Sequence, residues 1–115
     1  MHKLSDRLAI EGGFSVVLVS DRAMKQYYSR FAGKNRPTDV LSFPTDEADR
    51  VIEPYWGDIL ISVETADRQK RETLEMELKT LGLHGVLHLL GYDHESDQGE
   101  MERLEKQLRV EFGLA

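Results

Sequence analysis

The chain contains no cysteine, which removes disulfides, thiol nucleophiles and thiolate metal sites together and fits a reducing compartment. Any metal must then be held by His, Asp or Glu. Apolar runs are short. The longest, residues 16–19, spans four residues, far below the roughly 20 that cross a bilayer, so no membrane partner is expected. The opening residues, MHKLSDRLAI, mix charged and apolar side chains and lack the apolar stretch and cleavage site of a secretory signal. A cytoplasmic location is therefore expected. Only 3 prolines and 9 glycines occur in 115 residues, which excludes collagen-like and low-complexity chains. With 40% hydrophobic and 31% charged residues, the composition is that of one globular domain over residues 1–115, expected to be a monomer.

Positive charge is in the minority: 15 Lys and Arg stand against 21 Asp and Glu, for a net charge of −6. Such a balance argues against non-specific coating of nucleic acid, whose affinity comes from neutralising phosphates. The cations are nevertheless concentrated. Arg22, Lys25, Arg30, Lys34 and Arg36 fall within residues 22–36, which hold no acidic residue, while residues 95–111 carry six acidic and three basic ones.

Periodicity places a short helix over residues 4–10, then a strand, FSVVLVS, whose unbroken apolar stretch predicts burial on both faces. Ser20 or Asp21 caps a helix in which Met24, Tyr27, Tyr28 and Phe31 make one stripe, read as core rather than as a base-stacking platform, and Gly33 ends it. VLSF is a short strand, residues 45–53 an acidic loop, and GDILIS a third strand. Ser62 or Thr65 starts one helical segment and Thr73 another, which becomes apolar nearly all round and so should be buried at its end. Ser96 is the expected cap of a last helix with Met101, Leu104, Leu108 and Phe112 inward and Gly113 at its close. The fold class is α+β: a small mixed sheet flanked by helices, with a central helix carrying a three-histidine metal site.

That site is read from HGVLHLLGYDH, residues 84–94, which holds three of the four histidines. His84 and His88 are four apart on a helix, so both imidazoles leave one face and can reach one ion. His94, six residues beyond His88, would lie roughly 9 Å further along a continuing helix. The helix must stop, and Gly91 is placed to end it and let the chain turn back through Tyr92 and Asp93. Three protein ligands leave a fourth position for water, the mark of catalytic rather than structural zinc. Hydrolysis follows, with water on the ion as the attacking group. Asp93 either orients a ligand imidazole or favours the turn; Glu95 is a further candidate base.

The spacing also fits the metzincin peptidase pattern H-E-x-x-H-x-x-G-x-x-H, but Gly85 stands where those enzymes carry their general base. A glycine inside a helix implies either a close backbone approach or a need for space beside the metal, and of the two we favour room for a bulky substrate. A phosphodiester suits an ion without a neighbouring base, and the basic stretch would hold flanking phosphates.

HGVLHLLGYDH, RPTDVLSFP (residues 36–44) and GDILIS (residues 57–62), in that order, resemble the YbeY family of bacterial metal-dependent endoribonucleases. The resemblance implies a single-strand-directed endoribonuclease that takes one zinc ion, matures small-subunit rRNA and acts with the ribosome or its proteins in ribosome quality control. It makes His84, His88 and His94 the zinc ligands and lines the cleft with residues 38–43. It further implies a strand before the first helix, which this chain starts too late to contain. Family members carry an Arg before the glycine of the loop preceding PTDVLSF; Ala32 stands there, leaving Arg30, Lys34 and Arg36 as the RNA-binding cations. The alternatives are a metzincin-like metallopeptidase and a non-catalytic ribosome-assembly module with a structural metal.

Overall fold

A computed structural model of the chain describes residues 12–52, 54–93 and 97–114. Along them run β1 (Gly13–Val19), α1 (Asp21–Ala32), β2 (Val40–Pro44), α2 (Glu47–Ile52), β3 (Tyr55–Ser62), α3 (Val63–Gln69), α4 (Leu74–Leu89) and α5 (Glu100–Glu111). The helix expected over residues 4–10 lies outside the described residues. The three strands form one mixed sheet in the order β1-β3-β2, with β1 parallel and β2 antiparallel to β3. The α+β class and the mixed, helix-flanked sheet agree with expectation. Among the described residues no helix is long and apolar enough to cross a membrane.

Central position in the sheet, not apolarity alone, decides which strand is buried. β3 pairs on both sides, and its residues 59–62 are all buried. β1, expected to be buried on both faces, instead lies at one end of the sheet, with Val16, Val17 and Leu18 exposed by 39%, 43% and 54%. A run of valines looks the same to sequence reading whether it has one neighbouring strand or two.

Side chains alternate along β3, and the two faces receive different helices. Ile59 and Ile61 join Ala66 of α3, residues of α4, and Met101 and Leu108 of α5 in one core cluster. On the opposite face α1 docks through Met24, which is fully buried. Tyr27 and Phe31 depart from expectation: they are 40% and 60% exposed, and both rings meet Phe43 of β2, at the edge of the described sheet.

The segments between these elements correct two further expectations. Residues 47–52 are helical, not a loop; Glu47 and Asp49 favour the positive end and Arg50 the negative end of α2. Arg50 also lies 4.4 Å over the Trp56 ring, a cation–π contact that fastens α2 to β3. The last helix begins at Glu100, and the Asp97 carboxylate accepts hydrogen bonds from the Gly99 and Met101 amides at 2.8 and 2.9 Å. Ser96 lies outside the described residues. The break after α3 is real: Ser62 caps α3 and Thr73 caps α4.

Helix α4 comes very close to the sheet at one residue. A Cβ on Gly85 would stand 2.6 Å from Cγ2 of Ile59, inside any real carbon–carbon contact. The space at Gly85 is thus filled by β3 and not reserved for substrate, which corrects the expectation. The neighbouring strand is tied to the same point, since the Ser42 hydroxyl donates to the Gly85 carbonyl at 3.0 Å.

A polar cluster joins α1 to the start of α3. The Asp21 carboxylate accepts from Ser62 Oγ and Thr65 Oγ1, each at 2.5 Å, and pairs with Arg68 at 2.6 Å. The hydrogen bonds from Ser62 and Thr65, reinforced by Arg68, lower its pKa to about 2 against opposing desolvation. A carboxylate so depressed stabilises the fold fully above its ordinary value of 3.8 and loses that contribution as pH falls toward 2.

Two outcomes follow from these contacts. Asp21→Asn lowers stability by about 1 kcal/mol at pH 7, and in urea melts the gap from wild type closes as pH falls from 5 to 2. Gly85→Ala costs about 1–3 kcal/mol, and a double-mutant cycle with Ile59→Ala recovers much of that cost; additive losses would show that the two residues do not press on each other.

Candidate active site

Helix α4 is amphipathic only at its start. Between Leu81 and Leu89 every residue is buried except His84 and His88, so the only part of this stretch open to solvent is the edge where two imidazoles emerge. Their positions, four apart, bring the Nε2 atoms to 3.0 Å, with ring planes at 73° and centroids 4.6 Å apart. Two nitrogens each about 2.0–2.1 Å from one tetrahedral ion stand roughly 3.3 Å apart, so the pair fits a cation with little adjustment. The helix then ends as expected. Gly91 has φ +96°, and the amides of Gly91 and Tyr92 donate to the carbonyls of His88 and Leu87 at 3.0 and 3.1 Å, the paired bonds of a Schellman cap.

Behind His84 stands a carboxylate that the motif does not contain. Glu105 of α5 lies 3.0 Å from His84 Nδ1, and as acceptor it places the proton on Nδ1 and leaves the Nε2 lone pair facing His88. This hydrogen bond raises the His84 pKa above its ordinary 6.5 against the opposing effect of burial, with help from the charges of Glu105 and Asp39. For Glu105 burial acts to raise the carboxyl, but the hydrogen bond from His84 and the charges of His84, Arg109 and His88 outweigh it and hold the pKa below 4.5. The sequence carried a signal for Glu105: it lies four residues after Met101 and three before Leu108, on the buried stripe of α5, where an acid needs a partner.

The other expected residues are placed as follows. Residues 38–43 run beside α4: Asp39 is close enough to act on His84, and Ser42 holds Gly85. Asp93 is exposed, and its backbone carbonyl accepts from the Asp97 amide at 3.0 Å. His94 and Glu95 lie outside the described residues. Among the described residues no group of three His, Cys, Asp or Glu side chains is arranged to hold a metal; of the three expected ligands, His84 and His88 are the two that are described. Arg30, Lys34 and Arg36 are all exposed at the C-terminal end of α1 and in the loop after it. Only Arg30 of the three lines an open hollow of about 450 Å³, together with Arg22, Lys25 and Ser29.

A histidine pair braced by a carboxylate thus sits on a helix pressed into the mixed sheet of a small α+β protein. Comparison with known proteins makes this specific. The sequence profile of endoribonuclease YbeY matches residues 2–113. The endoribonuclease YbeY of Solibacter usitatus is 41% identical over 97% of this chain and 74% of its own length; that of Nautilia profundicola is 39% identical over 99% and 84%. A Thermotoga maritima protein solved in solution shares the fold at a TM-score of 0.62, with 32% identity over 96% of this chain and 77% of that one. The chain belongs to the endoribonuclease YbeY family and is a hydrolase of that kind.

The Glu105–His84 pair gives a test in metal-free protein. Because the carboxyl is depressed and the imidazole raised, their mutual stabilisation is complete between 4.5 and 6.5, the ordinary values of the two groups. It fades as pH falls below that window or rises through the elevated imidazole value. Glu105→Gln should bring the His84 titration, followed by NMR, down toward 6.5. It should also cost about 1–2 kcal/mol near pH 5.5 and less at pH 9; an unmoved titration would separate the two groups.

Proposed function

We propose that the chain is a metal-dependent endoribonuclease that cuts single-stranded RNA in the late maturation of small-subunit rRNA. In this reading it acts in the cytoplasm, as a monomer, with the ribosome or its proteins as partners in rRNA processing and quality control. The observation that carries the reading is the convergence of His84 Nε2 and His88 Nε2, with Glu105 fixing the first ring. His84 and His88 supply two neutral donors, and His94, the remaining histidine of the motif, is the third. Zinc, one ion per chain, is the cofactor best matched to three imidazoles, and when bound it polarises a phosphoryl oxygen and activates water.

The remaining residues bind and orient. Glu105 keeps the His84 ring in one tautomer and one direction. The Asp39 carboxylate accepts from Gln69 of α3 and the Ser42 hydroxyl donates to Gly85 of α4, which anchors the strand that borders the histidines. The cations Arg30, Lys34 and Arg36 attract the RNA backbone to the adjoining surface.

A peptidase reading meets a steric obstacle. Its general base would have to occupy position 85, where even a methyl group collides with Ile59.

The test uses single-stranded RNA and unfolded casein, each incubated with zinc-loaded wild type and with His88→Ala, with and without chelator. Chelator-sensitive RNA cleavage by wild type, lost in His88→Ala while its circular dichroism is unchanged, is expected. RNA left intact in every lane overturns the nuclease, and chelator-sensitive casein loss promotes the peptidase.

A further inference from the structure

The aromatic stripe of α1, expected in the core, forms part of an exposed patch instead. Tyr27 and Phe31 are stacked at 13° between ring planes and 6.4 Å between centroids. Phe43 of β2 meets both edgewise, at 6.4 Å from Tyr27 and 4.9 Å from Phe31. Phe43 thus braces two rings that are 40% and 60% exposed. Single exposed apolar residues need no explanation, but contiguous rings held in a fixed arrangement mark a binding surface.

We propose that Tyr27, Phe31 and Phe43 form a stacking platform for the bases of an unpaired RNA strand, a subsite that deepens and rests on the endoribonuclease reading above. The rim identifies the occupant. Arg30 and Lys34 each follow one of the two exposed rings by three residues, Arg36 lies just beyond, and residues 22–38 contain no acid in a chain of net charge −6. Aromatic faces among cations match single-stranded nucleic acid, with bases on the rings and phosphates on the rim. A duplex keeps its bases stacked on one another and gains only the cations.

The platform also lies within reach of the histidines. Phe43 follows Ser42, whose hydroxyl grips α4 between His84 and His88, and β2 is the edge of the described sheet. The rings and the imidazoles therefore occupy opposite faces at one edge strand, round which a flexible strand can bend while a double helix cannot.

The experiment is fluorescence anisotropy of a labelled ten-nucleotide single-stranded RNA, in chelator so that no cleavage occurs, with wild type, Phe31→Leu and Phe31→Trp. Leucine keeps the apolar contact but removes the ring face. It should weaken binding about 5- to 150-fold, the range of one lost base–aromatic stack, while tryptophan retains it. A duplex of the same sequence should bind all three proteins alike. Equal single-strand affinity for Phe31→Leu and wild type, both with native thermal melts, overturns the platform. So does a wild-type dimer that Phe31→Leu dissociates with RNA affinity unchanged, which assigns the patch to a second copy. If wild type still cleaves RNA in a chelator-sensitive manner in either case, the endoribonuclease reading stands without the platform. If wild type neither binds nor cleaves single-stranded RNA, both fall together.

Discussion

The approach of Gly85 to Ile59 is the constraint on which the candidate site depends. A helix with a side chain at this position would be pushed off the sheet. With glycine there, α4 settles against β3 until Leu81, Leu83, Val86, Leu87 and Leu89 are buried, and between Leu81 and Leu89 its surface shrinks to the edge bearing His84 and His88. The C-terminal half of the helix is nearly uniform in apolarity, so its orientation there comes from this close contact and not from an amphipathic pattern. Burial on the remaining sides does for the imidazoles what a rigid scaffold does for any site: it removes alternative positions without needing further hydrogen bonds.

Electrostatics refine what packing sets. α5 closes the core through Met101 and Leu108 and, between them, brings Glu105 against His84. The same residue therefore ties the last helix to the centre and selects the tautomer of a histidine. Asp21 has a similar architectural part at the other face, where one carboxylate gathers Ser62, Thr65 and Arg68 and so fixes the start of α1 against the junction of β3 and α3. Both acids sit where polar groups meet partial burial, and both are held ionised by specific donors.

Much of this was legible in the residues themselves. Local signals translated directly: Ser20 and Thr73 as caps, Gly33 and Gly91 as helix ends, and the four-residue spacing that puts two imidazoles on one face. What escaped was information held between segments. The exposure of β1 depends on which strand lies beside it, the exposure of Tyr27 and Phe31 on how far α1 overhangs the sheet, and the purpose of Gly85 on the bulk of Ile59, 26 positions away in the chain. Glu105 was half visible, as an acid on an apolar stripe, but its partner was not. The helix at residues 47–52 was hidden by its acidity, which favours a solvated loop in sequence terms yet also suits the first turn of a helix.

The central claim is that His84 and His88 are two arms of one metal centre. Elemental analysis of the protein purified without chelator, wild type beside a folded His88→Ala variant, addresses it most directly. One equivalent of divalent metal per wild-type chain, absent from the variant, is the predicted result; the same metal content in both proteins would contradict it.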